Sequence, residues 1–406
     1  MIDLYTLADK YGTEREKQIA YLIGEGASNV DVAAELGITP SRVRGAMSTL
    51  RARAARKGEG LPEPAPEGFS IKKTSTNYGP NGELRQRWVT IDRDKAAKIS
   101  ALFDAVQVLA EPFKGLAPLV APPADVLADL LCIYPMGDPH LGMYAWAAET
   151  GNDFDLEIAE ADIYQAVDYL VAAAPAAETA LIANLGDFFH ADDSSNRTSR
   201  SGHALDVDSR YAKVYAVGIR VMRRIIDRCL EKHKNVHVVC EIGNHDDHSA
   251  LTLALCLAEY YSENPRVRID TSPSTFHWLK FGKNFIGITH GHNTKASDLP
   301  NIMASERPID WGNTEHRFWY TGHIHHDSMK ELRGCTVETF RTLAGRDAWA
   351  ASKGFKSGRD MKVDVIHREF GRQARHIVNV QRLRSLGGQP ANDNRDASTE
   401  QREAQG

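Results

Sequence analysis

A chain of 406 residues exceeds one ordinary domain, and its 42% hydrophobic and 25% charged content is that of folded protein, which excludes a wholly disordered or fibrous chain. The formal net charge of -5 is mild at this size and selects no class of partner. Five cysteines, Cys132, Cys229, Cys240, Cys256 and Cys335, are scattered and never spaced as CxxC, which argues against a disulfide framework or a thiolate zinc site and for a reducing compartment.

No charged-then-apolar leader opens the chain, and no run reaches the roughly 20 apolar residues of a membrane span. A cytoplasmic protein with no membrane partner is expected. From Thr13 to about Lys57 the pattern is helical. Ser28 caps a short helix whose Val32, Ala33 and Leu36 face inward, Gly37 permits a tight turn, and Thr39 and Pro40 supply the N-cap and first residue of a second helix. This segment resembles a helix-turn-helix. Between Arg42 and Lys57 there are six basic residues and no acidic one, so a basic segment sits on an acidic chain. Ser41, Arg42, Arg44 and Arg51 are the candidate DNA contacts. The competing reading is a small helical bundle that binds protein or docks on the main domain.

Residues 58–68 are rich in proline and glycine and read as a semi-rigid linker. β-like runs at 69–76 and 83–90 flank Gly79-Pro80-Asn81-Gly82 and predict a hairpin, followed by a helix from about Arg93 to Leu109. Pro112, Pro118, Pro122 and Pro123 mark a further connector. The expected division is therefore a helix-turn-helix domain at 1–58, a linker, hairpin and helix at 59–125, a main domain at 126–385, and a disordered polar tail at 386–406.

In the main domain short apolar runs alternate with helical patterns, as an α/β fold requires. Expected strands include Leu130–Tyr134, Thr179–Leu185, Val236–Glu241, Phe285–Thr289 and Phe318–Thr321, with an amphipathic, outwardly basic helix at about Val207 to Lys232. Each of these strands ends close to a cluster of Asp, Asn or His, where open α/β sheets place their sites.

Those clusters are Gly137-Asp138-Pro139-His140, Gly186-Asp187-Phe188-Phe189-His190, Gly243-Asn244-His245-Asp246, Thr289-His290-Gly291-His292 and Gly322-His323-Ile324-His325. Imidazole, carboxylate and amide oxygen suit borderline-to-hard divalent metals, and no thiolate is among them. If the DxH segment is extended, Asp138 and His140 share one face and can grip one ion. The glycines beside these ligands are expected to make room for a turn or for the metal centre.

Five such signatures in this order, over roughly residues 130–326, resemble the calcineurin-like metallophosphoesterase superfamily. The resemblance implies a four-layer α/β/β/α sandwich, preceded here by the small all-α helix-turn-helix domain. It implies that Asp138, His140 and His325 bind one metal, that Asn244, His290 and His323 bind a second, and that Asp187 bridges both. A carboxylate bridge holds two cations at about 3.5–4 Å, where they clamp attacking and leaving oxygens. It further implies attack by a metal-bridging hydroxide, His245 as the acid for the leaving oxygen, and Asp246 orienting His245. Manganese is the default metal, with iron, zinc and magnesium also compatible with the ligands.

His190, Arg197 and Arg200 are candidate substrate contacts, as are Arg341 and Arg346. His248, His292 and His326 read as surface residues or as partners of the ligands. The expected activity is phosphodiester hydrolysis on DNA, since a metal site is joined to a basic helix-turn-helix and Asp138 to Gly142 resembles the start of repair exonucleases. The alternatives are a phosphomonoesterase, acting on protein or a small molecule, and a DNA-binding regulator with a non-catalytic metal domain. A homodimer is expected only by analogy with other helix-turn-helix proteins, since no heptad or apolar stripe marks a dimer face.

Overall fold

The computed structural model describes residues 4–56, 69–78, 84–93, 111–198 and 202–386. The chain divides into two compact units, 1–101 and 102–406. The linker at 58–68, the body of the helix expected up to Leu109, and the tail beyond Leu386 lie outside the described residues.

The first unit contains four helices, α1 (Leu4–Tyr11), α2 (Glu14–Gly24), α3 (Asn29–Glu35) and α4 (Pro40–Arg56). Helix therefore begins before Thr13. Leu4, Leu7, Ala8 and Tyr11 recur at helical spacing and turn one face of α1 to the core. Thr13 caps α2 in a reciprocal box with Glu16, and Ser28 caps α3 with Asp31. Gly37 sits at φ +62° in the turn, and the Thr39 hydroxyl accepts from the Arg42 amide, as a helix-turn-helix requires. Val43, Met47, Leu50 and Ala54 form the buried stripe of α4, which leaves Ser41, Arg42 and Arg44 exposed and Arg51 half-buried. Arg53 departs from the basic face. It turns back to Glu16 (2.8 Å) and the Tyr11 carbonyl, tying α4 to the bundle. The same unit holds the expected hairpin, β1 (Phe69–Tyr78) paired antiparallel with β2 (Leu84–Arg93).

The second unit is built on two sheets. One has six strands in the order β13-β12-β3-β4-β5-β6: β3 (Leu127–Met136), β4 (Ala177–Asn184), β5 (Asn235–Cys240), β6 (Val267–Asp270), β12 (Asp360–His367) and β13 (Gly371–Asn379). The other has five in the order β10-β11-β9-β8-β7: β7 (His277–Phe281), β8 (Asn284–Thr289), β9 (His316–Thr321), β10 (Ser328–Leu332) and β11 (Cys335–Thr339). Period-two alternation assigns the faces. In β3, Leu131 and Ile133 point to the second sheet, where they meet Ile286, Ile288, Phe318 and Tyr320, while Cys132, Tyr134 and Met136 point outward. The outward face is covered by α5 (Leu156–Ala173), α6 (Tyr211–Leu230) and α7 (Ser249–Tyr260). Phe285, Trp319 and Val337 on the far face of the five-stranded sheet are covered by Leu299 and Met303 of α8 (Leu299–Glu306). The layers are α/β/β/α, as expected.

Two sequence expectations change here. Strands β6, β7 and β10 to β13 add to the expected five. The outer face of α6 is not a free basic surface, because Arg220 pairs with Glu160 and both Arg224 and Arg228 pair with Asp168 on α5. No described helix is long and apolar enough to cross a membrane.

Strands β3, β4, β5 and β6 are mutually parallel, as are β8, β9 and β11, so each set ends its strands at one edge. Near the border of the two sheets His277, 2% exposed, lies between Glu241 (3.2 Å) and Asp270 (3.1 Å). Burial opposes its charge, but the two carboxylates outweigh it and hold the imidazole up at about 9. Because this value lies above the ordinary 6.5, the stabilisation is complete below pH 6.5 and is lost as pH rises through 9. His277→Gln is expected to lower the melting temperature more at pH 6 than at pH 9.5, read by thermal denaturation at both values; an equal loss at both pH values would contradict a charged His277.

Candidate metal centre

Every ligand motif follows the C-terminal end of a strand: Asp138 and His140 follow β3, Asp187 follows β4, Asn244 and His245 follow β5, His290 follows β8, and His323 and His325 follow β9. The loops are fastened to one another by backbone bonds. His140 N–H donates to the Asp187 carbonyl (3.0 Å), Leu141 N–H to Phe188 (2.8 Å) and Gly322 N–H to His290 (3.1 Å).

The extended geometry expected for DxH is not what forms. Asp138 and His140 have φ of +44° and +47°, and Asp187 (+50°), His323 (+72°) and His325 (+53°) share the left-handed region. Five of the eight non-glycine residues with positive φ among the described residues are thus proposed metal ligands. Such backbone costs roughly 1–2 kcal/mol per residue, less for Asp and His than for branched side chains, and persists only where surrounding bonds enforce it. Here it turns side chains from separate loops to one point. The neighbouring glycines leave the room for this, since a Cβ at Gly243 would lie 2.0 Å from Asp187 Oδ1 and one at Gly186 2.7 Å from His290 Nδ1.

Three groups of ligand atoms gather within 4.8 Å: Asp138 with His140 and His325, Asp187 with His290 and His323, and His140 with His190 and His245. In the first, His140 Nε2 faces His325 Nε2 at 3.2 Å, and His325 Nε2 is 3.6 Å from Asp138 Oδ1. In the second, His290 Nε2 lies 3.2 Å from Asp187 Oδ2 and 3.1 Å from Asn244 Oδ1. Ligands at about 2.0–2.2 Å from one cation stand apart by about these distances, and two imidazole nitrogens facing each other have one lone-pair direction in common. The donor set therefore fits two divalent cations. Burial pushes the Asp187 carboxyl upward, but the adjacent His290 outweighs it and holds Asp187 well below the usual carboxylate range. Burial likewise opposes charge on His290, yet Asp187 and Asp138 hold it up at about 10. Burial and the neighbouring His245 and His325 rings keep His140 neutral, the form a metal ligand needs. Burial raises the Cys240 thiol to about 12, in keeping with a thiolate-free site.

Further bonds aim the ligands. His290 Nδ1 donates to the Leu185 carbonyl (2.8 Å), which fixes the ring with Nε2 toward Asp187, the position where a cation would replace the Nε2 proton. Asp138 accepts from the His323 amide through both oxygens (2.9 and 3.0 Å), and the Thr342 hydroxyl donates to the Asp138 carbonyl (2.5 Å). Thr342 escaped sequence reasoning because it lies 204 positions away in no recognisable motif.

Asp246 does not orient the His245 ring. Its buried carboxyl group accepts backbone N–H bonds from Gly243, Asp187, Phe188 and Phe189 at 2.8–3.2 Å, so it holds the Asp187 loop in shape. His245 is oriented instead by the His190 carbonyl, 2.8 Å from Nδ1, which places the proton there and leaves Nε2 for chemistry. His245 also donates its backbone N–H to Asp187 Oδ1 (2.8 Å).

The expected substrate contacts mostly have other partners. His190 is 2% exposed, burial holds its ring down at about 3, and its Nδ1 faces His140 Nδ1 at 3.2 Å, so it supports a ligand and is closed to substrate. Arg197 donates to Gly202 within its own loop (2.8 Å), and Arg200 lies outside the described residues. Arg341 pairs with Asp360 (2.6 Å), and Arg346 donates to the Thr150 carbonyl. His248 pairs with Asp192 (2.7 Å), His326 with the Ile324 carbonyl, and the His292 ring stands 5.1 Å from that of His290. The mouth of the site is formed by His323, which is exposed, and by His325, whose side chain is 41% exposed.

The ordered ligands and the layered fold resemble the metallophosphoesterases. No family model matches the chain, and no curated protein does. Solved structures similar to it include an archaeal phosphodiesterase (16% identity, 61% of this chain and 99% of that one, TM-score 0.30). Others are a predicted phosphoesterase of Streptococcus pneumoniae (11%, 62% and 99%, TM-score 0.25) and a dimetal phosphatase of Danio rerio (10%, 62% and 99%, TM-score 0.34).

Asp246→Ala strands four buried N–H groups and is expected to weaken metal binding about 10- to 100-fold and lower the melting temperature. His245→Gln is expected to retain the metal while losing turnover. Metal titration by calorimetry distinguishes them; unchanged affinity in Asp246→Ala would contradict the loop-holding role.

Proposed function

We propose that this chain is a two-metal phosphodiesterase acting on DNA. The observation that carries the chemistry is the gathering of Asp138, His140 and His325 and of Asp187, His290 and His323 on one set of loops, with an oriented histidine beside them, and in this reading Asp187 bridges the two groups. Two divalent cations held there, manganese by default and iron, zinc or magnesium otherwise, would supply Lewis-acid charge to a phosphoryl group and acidify bound water. The chain's own part is positional. His190 and Leu185 carbonyls set the His245 and His290 tautomers, and Asp246 maintains the Asp187 turn. His245 Nε2, protonated when the ring is charged, donates to the leaving oxygen.

DNA as substrate rests on the first unit. The turn at Gly37, the Thr39 cap, and the exposed Ser41, Arg42 and Arg44 at the start of α4 form the face by which a helix-turn-helix enters a major groove. Arg53 is committed to Glu16 and adds nothing to this face.

After chelation, reloading with each metal is expected to restore hydrolysis of bis(p-nitrophenyl) phosphate and of DNA in preference to p-nitrophenyl phosphate and phosphopeptide. Asp187→Asn is expected to lower turnover at least about a hundredfold. Arg42→Ala with Arg44→Ala is expected to reduce the slope of log affinity for duplex DNA against log salt by about 2. Monoester preference with inert DNA would replace this reading by a phosphomonoesterase; DNA binding without hydrolysis under every metal would replace it by a DNA-binding regulator.

A further inference from the structure

The geometry points to a platform for unpaired nucleobases beside the metal centre, built from Tyr144, Trp146, Trp349 and Phe355, with Lys353 and Lys356 on the segment that carries Trp349 and Phe355. It rests on the proposed DNA phosphodiesterase reading and specifies the DNA: single-stranded or frayed, not intact duplex.

Four large aromatic side chains are solvent-exposed here, Tyr144 by 46%, Trp146 by 59%, Trp349 by 62% and Phe355 by 59%. Isolated exposed apolar residues are ordinary, but the segments that carry these are brought together. The short helices Ala147–Thr150 and Ala348–Ser352 pack on one another. Arg346 fastens them, donating to the Thr150 carbonyl through Nε and Nη2 and to the Phe355 carbonyl through Nη1. The Trp349 and Phe355 rings lie 5.7 Å apart.

The patch belongs to the same edge as the site. Residues 137–155 follow β3 and residues 340–359 follow β11, which runs parallel to β9, so both segments leave the edge that carries the ligand loops. Tyr144 is four residues from His140, at most about 14 Å along the chain. The second segment begins where Thr342 holds the Asp138 carbonyl. Its root is rigid, because Glu338 at the end of β11 is bound by Arg372 and Arg375 of β13.

Charge selects the occupant. Residues 348–359 hold Lys353 and Lys356 and no carboxylate, Arg359 being engaged by Asp162, and the facing short helix adds one exposed carboxylate, Glu149. Lys353 and Lys356 are exposed, and neither forms an ion pair among the described residues, unlike the arginines of α6. Exposed flat rings and exposed lysines on one short segment suit a strand whose bases stack on the rings while its phosphates meet the lysines. In a duplex those base faces are already occupied by their neighbours, so only unpaired bases are available.

The test uses full-length protein in EDTA, so that nothing is cut, with a labelled oligothymidylate and a hairpin duplex as probes. Oligothymidylate is expected to quench tryptophan fluorescence. Trp349→Ala with Phe355→Ala is expected to weaken its binding about tenfold or more, and Lys353→Glu with Lys356→Glu to weaken it and flatten its salt dependence. All four side chains are exposed, so circular dichroism and melting temperature should not change, nor should metal-loaded hydrolysis of bis(p-nitrophenyl) phosphate. Arg42→Ala with Arg44→Ala should weaken the hairpin and leave oligothymidylate unaffected. If oligothymidylate does not bind, or binds the aromatic variant equally well, the platform is overturned even where DNA is cleaved. If the rings govern oligothymidylate binding but no metal restores diester hydrolysis, the platform stands and the proposed activity falls.

Discussion

Bringing seven side chains from five loops to one point requires the backbone to bend where L-residues resist bending, and the site depends on that constraint. Asp138, His140, Asp187, His323 and His325 all lie in the left-handed region. At roughly 1–2 kcal/mol each, their gross cost is comparable with the net stability of a domain, so the surroundings must hold them. The two-sheet core provides rigid strand ends, and the interloop backbone bonds with the four-donor clamp of Asp246 fix the turns.

The same economy governs the imidazoles. Each needs a chosen nitrogen free, and a neighbour that can only accept a proton makes the choice. Backbone carbonyls do this for His290 and His245. Burial and crowding by other rings keep His140 and His190 neutral, whereas Asp187 and Asp138 raise His290. This uneven field places basic nitrogen and carboxylate oxygen together where a cation satisfies both.

The cationic side chains are divided differently. The second unit contains many arginines, but Arg220, Arg224, Arg228, Arg341, Arg372 and Arg375 are engaged by carboxylates. The first unit instead presents unspent basic and hydroxyl side chains at the start of α4, because its buried stripe of Val43, Met47, Leu50 and Ala54 consumes only the opposite face.

The sequence alone marked the Asp, Asn and His clusters and the helix-turn-helix caps Ser28 and Thr39, since these are set by residue type and short spacing, while the α/β/β/α layers and the division of the clusters into metal ligands came from the resemblance carried by the order of the five motifs. It could not determine what each side chain faces. Asp246, adjacent to His245, bonds to the loop nearly sixty positions away, and the His190 carbonyl takes the role that adjacency suggested for Asp246. Asp138 and His140 converge through left-handed backbone where spacing suggested an extended strand. Thr342 and the carboxylate partners of the surface arginines are long-range pairings, decided when the sheets pack and invisible to any local pattern.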